Sequence, residues 1–87
     1  MKEESEFERL DPKMIEDTVR FLNNAFRNVL KEKSDVLGHD NSRGTKLHHY
    51  QTEFCYLINE IQRGYEFMFS KYVSDANKLI VEIKNLS

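Results

Sequence analysis

The spacing of apolar residues predicts a first helix over 12–33. These residues recur at steps of three and four, which places them on one helix face. They are Ile15, Val19, Leu22, Ala25, Phe26, Val29 and Leu30. Asp11 and Pro12 mark the start, because an aspartate caps free backbone N–H groups and a proline suits the first helical position. Residues 1–10 are mostly charged, and we expect them to be frayed.

Turn-forming residues collect in the segment 34–44, which reads SDVLGHDNSRG. Glycine, aspartate, asparagine and serine all favour turns, so this segment is predicted to be a loop. Ser42 or Thr45 can cap the helix that follows. The pattern therefore predicts a single domain over 11–87, in which the loop joins two helices.

A second, longer helix is predicted over 45–84. An eleven-residue template aligns its apolar positions in columns, of which Leu47, Ile58, Phe69 and Ile80 form one. No proline interrupts the segment. The alternative is a break, at Gly64 or at Ser74, that would give a three-helix bundle. A glycine inside a helix costs about 1 kcal/mol relative to alanine, so the uninterrupted columns favour the continuous helix.

The two predicted helices differ in length. At 1.5 Å per residue they measure about 33 and about 60 Å, so a helical hairpin would leave the end of the second helix uncovered. A second hairpin would cover it, which predicts a four-helix bundle formed as a homodimer or heterodimer. The predicted interface consists of Tyr65, Met68, Phe69, Tyr72, Leu79, Ile80, Ile83 and Leu86. In the three-helix alternative the chain would cover this stripe itself.

Charge and composition narrow the function classes. The chain has 87 residues, a net charge of −2 and one cysteine, so no intrachain disulfide can form. A nucleic-acid-binding protein usually carries an excess of basic residues, which this chain lacks. We therefore expect no nucleic-acid partner, although Arg20, Arg27 and Lys31 share a face of the first helix. The first ten residues contain no apolar run. We therefore expect no membrane span, and a location that is cytoplasmic or exported without a cleaved signal peptide.

Histidines and the cysteine are the candidates for chemistry. His39, His48, His49 and Cys55 are ligand types that zinc accepts, but neither Cys-X-X-Cys nor His-X3-His spacing is present. A cysteine nucleophile would need an activated thiolate and a pocket, which a narrow hairpin does not offer. The sequence predicts no catalytic residue, no cofactor and no metal site.

The layout resembles the small helical-hairpin proteins of type VII secretion, the Trp-X-Gly superfamily and the helical partners of its effectors. The segment Tyr56-Leu-Ile-Asn-Glu60 matches the export element of that family, although it falls within a helix. The chain has no tryptophan, and only Gly38 and Gly44 stand in the loop. The resemblance implies a leaderless, non-enzymatic chain that dimerises into a four-helix bundle and is exported or escorts an effector.

Two hypotheses for function follow. The first is a helical interaction protein that acts as an adaptor, an escort or an assembly subunit, including a role in type VII secretion. The alternative is a small monomeric inhibitor or immunity-type protein that blocks a target protein. A break in the second helix would favour the alternative, because the chain would then bury its own apolar stripe.

Overall fold

The structure is a computed structural model that describes residues 9–40 and 42–86. Within them it has four helices and no strand: α1 (Pro12–Glu32), α2 (Ser34–Leu37), α3 (Lys46–Arg63) and α4 (Glu66–Lys84). The predicted all-α class is confirmed. The predicted frayed segment 1–10 lies outside the described residues except for Arg9 and Leu10.

Helix α1 begins as its sequence indicates. The Asp11 side chain accepts a hydrogen bond from the backbone N–H of Lys13 at 3.2 Å, and Pro12 is the first helical residue. Helix α3 begins in the same way, because the Thr45 hydroxyl oxygen accepts from the backbone N–H of His48 at 3.1 Å. The segment predicted as a loop differs in one respect, since its first residues form the single turn α2.

The predicted continuous helix over 45–84 is wrong, because the chain turns back at Gly64. This glycine ends α3 in the left-handed conformation, with φ +76°, and its N–H donates to the Ile61 carbonyl at 2.9 Å. Tyr65 is extended, and α4 begins at the next residue. The backbone N–H of Leu10 donates to the Gly64 carbonyl oxygen at 2.9 Å, so the segment before α1 fixes the turn.

Helix α4 runs antiparallel to α3 and parallel to α1. The Tyr50 hydroxyl, near the start of α3, donates to the Glu82 carboxylate near the end of α4 at 3.2 Å. At the far ends of α1 and α4, the Lys33 ammonium donates to the Leu86 carbonyl oxygen at 2.9 Å. Each of the three long helices contacts the other two. The three long helices therefore form the three-helix bundle of the alternative prediction, rather than a hairpin of one short and one long helix.

All three long helices contribute to one core. Its buried residues are Val19, Leu22, Phe26, Val29, Tyr50, Phe54, Leu57, Ile58, Ile61, Ala76, Leu79 and Ile83. Between α1 and α3 the rings of Phe26 and Phe54 stack, with centroids 3.9 Å apart and planes within 2° of parallel. Complete burial of a large aliphatic side chain contributes about 1.5–3 kcal/mol, so this cluster accounts for most of the driving force for folding.

The stripe predicted to need a partner is therefore covered within the chain. Leu79 is 4% exposed and Ile83 is fully buried. The reason is the reversal at Gly64, which lays the second half of the predicted long helix against the first half. The length mismatch that predicted a four-helix bundle by dimerisation does not exist in this fold.

Candidate interaction surfaces

The residues predicted as one interface are separated by the fold. Leu79 and Ile83 lie in the core, so the structure does not present them to a partner. Phe69, Tyr72, Ile80 and Leu86 are partly buried and pack against the core. Tyr65 and Met68 are partly exposed near the turn between α3 and α4. What remains at the surface falls on two different sides of α4.

The first surface, which we call the turn patch, consists of Tyr56, Tyr65, Phe67, Met68 and Tyr72. The Tyr56 and Phe67 side chains are 55% and 53% exposed, high values for such large apolar groups. The rings of Tyr56 and Tyr72 meet edge to face with centroids 6.4 Å apart, and those of Tyr65 and Phe67 are tilted at 6.3 Å. These ring contacts hold the aromatic groups in place across the α3–α4 junction.

Four residues of the turn patch, all except Tyr56, border a shallow hollow of about 450 Å³. Glu60 and Arg63 from α3 line it together with Tyr65, Phe67, Met68 and Tyr72. The Arg63 guanidinium lies 3.5 Å from the Glu60 carboxylate and 5.8 Å from the centre of the Tyr65 ring. The hollow therefore has apolar walls and a charged rim, the composition that protein interfaces favour.

Arginine side chains determine the electrostatics around Tyr65. The Arg9 guanidinium donates to the Tyr65 hydroxyl oxygen at 3.3 Å and lies 4.8 Å from the ring centre. Chiefly through this hydrogen bond, and then through its charge, Arg9 lowers the pKa of Tyr65. The contact with Arg9 favours one orientation of the ring, which stays partly exposed.

The second surface, which we call the α4 strip, lies on the outer face of α4. Phe69, Ser70, Val73, Ser74, Asn77 and Val81 line a shallow depression with Lys78, the single charged residue among them. Val81 is 53% exposed. On α1, Phe21 is 67% exposed, more than any other large apolar residue in the described part of the chain. Val81 and Phe21 therefore give the chain apolar surface outside its own core, whereas Phe69 and Val73 also pack against the core.

The candidate ligands for metal or catalysis are not brought together. His48 and His49 each contact the residue one helical turn after them. The His48 ring lies 3.4 Å from the Thr52 hydroxyl, and the His49 ring lies 3.3 Å from the Glu53 carboxylate. Cys55 is exposed. Within residues 9–40 and 42–86 no three histidine, cysteine, aspartate or glutamate side chains are grouped so that they could hold a metal ion.

Comparison of the chain with protein-family models, with curated proteins and with solved structures gave no match. The resemblance to type VII secretion proteins therefore stays a prediction. None of the helices in the described residues is both long enough and apolar enough to cross a membrane.

Sequence reasoning did not single out Phe21 or Val81. Each is an exposed apolar residue outside the buried stripe of its own helix. Phe21 precedes the core residue Leu22, and Val81 lies between the core residues Leu79 and Ile83. The available signal was Phe21 itself, a large apolar residue outside the apolar stripe of α1. The predicted stripe included Leu22 and left out Phe21, and no role was assigned to the residue left out.

Proposed function

We propose that this chain is a non-enzymatic protein-binding module that engages a protein partner through the turn patch. One observation carries the proposal: Tyr56 and Phe67 remain more than half exposed beside a hollow that the chain does not fill. Aromatic residues, methionine and arginine are enriched at protein interfaces, and all three types meet here. A partner side chain of aliphatic or aromatic type would fit the hollow, with Arg63 and Glu60 available for hydrogen bonds at its rim.

Self-contained packing favours the inhibitor or immunity-type alternative over the dimerising hairpin. Because α4 covers the core itself, folding does not require a second chain. A small folded bundle with a pre-formed aromatic patch can bind its target with little loss of conformational freedom. The turn patch would then act as the contact that blocks or recruits a target protein.

A photo-cross-linking experiment tests this function. A benzophenone amino acid replaces Tyr56, at the edge of the turn patch, and the chain is produced in the organism that encodes it. We expect one discrete adduct with another protein. Phe67→Ser, which removes a 53% exposed side chain from the hollow, should abolish the adduct. Phe21→Ser, on α1, is the matched control and should leave the adduct unchanged.

The adduct also supplies a quantitative test. Once its protein is purified, Phe67→Ser should raise the Kd for that protein by about tenfold or more, the effect of losing one aromatic anchor worth at least about 1.4 kcal/mol. Equal adduct yields in the two serine variants, or no adduct, would contradict the assignment of the turn patch. Thermal unfolding of both variants should match the parent chain.

A further inference from the structure

The outer face of α4 carries a symmetric pattern. Reading along the helix, Glu66, Phe69, Val73, Asn77, Val81 and Lys84 follow one another at steps of three, four, four, four and three. At 100° per residue these positions fall within an arc of about 120°. Glu66, Asn77, Val81 and Lys84 are exposed, and Phe69 and Val73 are partly exposed. We therefore extend the α4 strip to include these two charged ends: it runs from Glu66, over three apolar residues and the polar Asn77, to Lys84.

This face is not the one that α3 covers. Helix α3 meets the edge of α4 that carries Tyr72, Leu79 and Glu82, as the bond from the Tyr50 hydroxyl to Glu82 shows. Val81 lies two residues from Leu79, about 200° round the helix. Phe69 and Val73 pack in part against the chain's own core, but the strip's other residues are exposed, so its outer side is open in the structure of the single chain.

Reversal of the strip places complementary residues opposite one another. Glu66 and Lys84, Phe69 and Val81, and Val73 and Asn77 are each centred on position 75. If two copies of α4 lie antiparallel about that point, Glu66 of each copy faces Lys84 of the other, and Phe69 faces Val81. Such an arrangement has twofold symmetry, in which every contact occurs twice. Ser70 and Ser74 are small enough to let the helices approach to the usual 8–10 Å.

The charged ends of the strip are available for this pairing. Within residues 9–40 and 42–86, neither Glu66 nor Lys84 forms a salt bridge. In a parallel pair of α4 helices, like charges would face each other at both ends. The charge pattern therefore selects the antiparallel orientation and disfavours the parallel one.

Phe21 lies at the same height along the bundle as the centre of the strip. Helices α1 and α4 are parallel, and Arg9 bonds Tyr65 at one end while Lys33 bonds Leu86 at the other. These offsets of 56 and 53 residues place Phe21 level with residues 74–77, at the centre of the strip. Val19 lines the groove towards α3, and Phe21 lies about 200° from it round α1, away from α3.

We propose that the α4 strip is a self-association surface on which a second copy of this chain packs its own α4 antiparallel. The symmetric charge pattern identifies the occupant as a second copy rather than an unrelated partner. Helix α4 has 19 residues, so the seam is about 28 Å long, and the buried area falls at the low end for specific interfaces. We expect an interface limited to one pair of helices to give a weak, reversible dimer. This surface is separate from the turn patch.

Charge reversal and rescue test the proposal. Sedimentation equilibrium of the full chain between about 5 and 500 µM at low salt should show a monomer–dimer equilibrium. Glu66→Lys, and separately Lys84→Glu, should each weaken dimerisation by about tenfold, because two attractive contacts become repulsive. The double variant should restore it, since the pairs are then reversed but still opposite in sign. Lys31→Glu, exposed on the outer face of α1, is the matched control.

An apolar variant provides an independent measurement. Val81→Asp alters a 53% exposed position, so the bundle should stay folded by circular dichroism while the dimer is lost. A chain that is monomeric at 500 µM, a dimer that survives Val81→Asp, or a double charge variant without rescue would overturn the proposal. Phe67→Ser in the turn patch should leave the dimer unchanged, so failure here and failure of the proposed function give different results.

Discussion

Replacement of Gly64 by alanine tests whether the chain reverses at this residue. At φ +76° an L-residue costs about 1–2 kcal/mol more than glycine. An added Cβ would lie 2.6 Å from Cδ1 of Ile15, so the end of this side chain must shift, at a cost of up to about 1.5 kcal/mol. Reduced freedom of the unfolded chain offsets about 0.4–1 kcal/mol. We therefore expect Gly64→Ala to lower the free energy of unfolding by about 1–2 kcal/mol.

A double-mutant cycle separates the two causes. Ile15→Val removes the Cδ1 atom that the new Cβ would meet and changes little else at this half-buried position. If the contact contributes, Gly64→Ala costs less in the Ile15→Val chain than in the parent chain, by about 0.5–1 kcal/mol. The cost that remains is that of the left-handed backbone.

Urea unfolding followed by circular dichroism measures these free energies. In a chain of this size, a loss of 1–2 kcal/mol also lowers Tm by about 5–15 °C. The reversal of the chain at Gly64 would be refuted if Gly64→Ala left the free energy of unfolding unchanged or raised it, and also raised the helical signal. Alanine is the best helix former, so that result would mean that α3 and α4 are one continuous helix in solution.

Two further predictions concern the contacts of α4. Tyr50→Phe removes the hydrogen bond to Glu82 and should lower the free energy of unfolding by about 0.5–1.5 kcal/mol in urea titrations at pH 7. Burial, followed by the bond to Glu82, raises the pKa of Tyr50. The contribution of Tyr50 to the free energy of unfolding is therefore complete below pH 10 and is lost as the pH rises further. Tyr50→Phe should accordingly lose stability less steeply above pH 10 than the parent chain does. Ile83→Asp places a carboxylate at a fully buried position, so circular dichroism should show an unfolded chain. A variant that stays folded and loses only self-association would contradict the burial of Ile83 in the core.

Local signals in the sequence were sufficient for α1 and for both side-chain caps. Asp11, Pro12 and Thr45 act through contacts within one helical turn, so their effect can be derived from neighbouring residues alone. The turn at Gly64 is different, because its stability depends on the Leu10 N–H and on packing against Ile15. Neither partner is close in sequence, and a glycine within a regular apolar pattern does not reveal them.

The apolar columns predicted one continuous helix because the eleven-residue spacing of apolar residues continues from α3 into α4. Leu47 and Ile58 in α3, and Phe69 and Ile80 in α4, stay eleven residues apart across the break. Two antiparallel helices each need an apolar face. A short turn between them can keep the sequence spacing of the apolar residues while the direction of the helix reverses. Periodicity therefore identified the buried residues but could not distinguish a rod from a hairpin. The error at Leu79 and Ile83 follows directly from this ambiguity.

The two surfaces depend on the reversal at Gly64 to different degrees. The α4 strip belongs to one helix, so its order of charged and apolar residues would exist even if α3 and α4 were continuous. The turn patch has no such independence, because Tyr56 meets Tyr72 only when α4 folds back on α3. A residual population of Gly64→Ala with a displaced turn should therefore lose partner binding through the turn patch while it keeps self-association through the α4 strip. The local geometry of one glycine thus controls the surface that we propose for function.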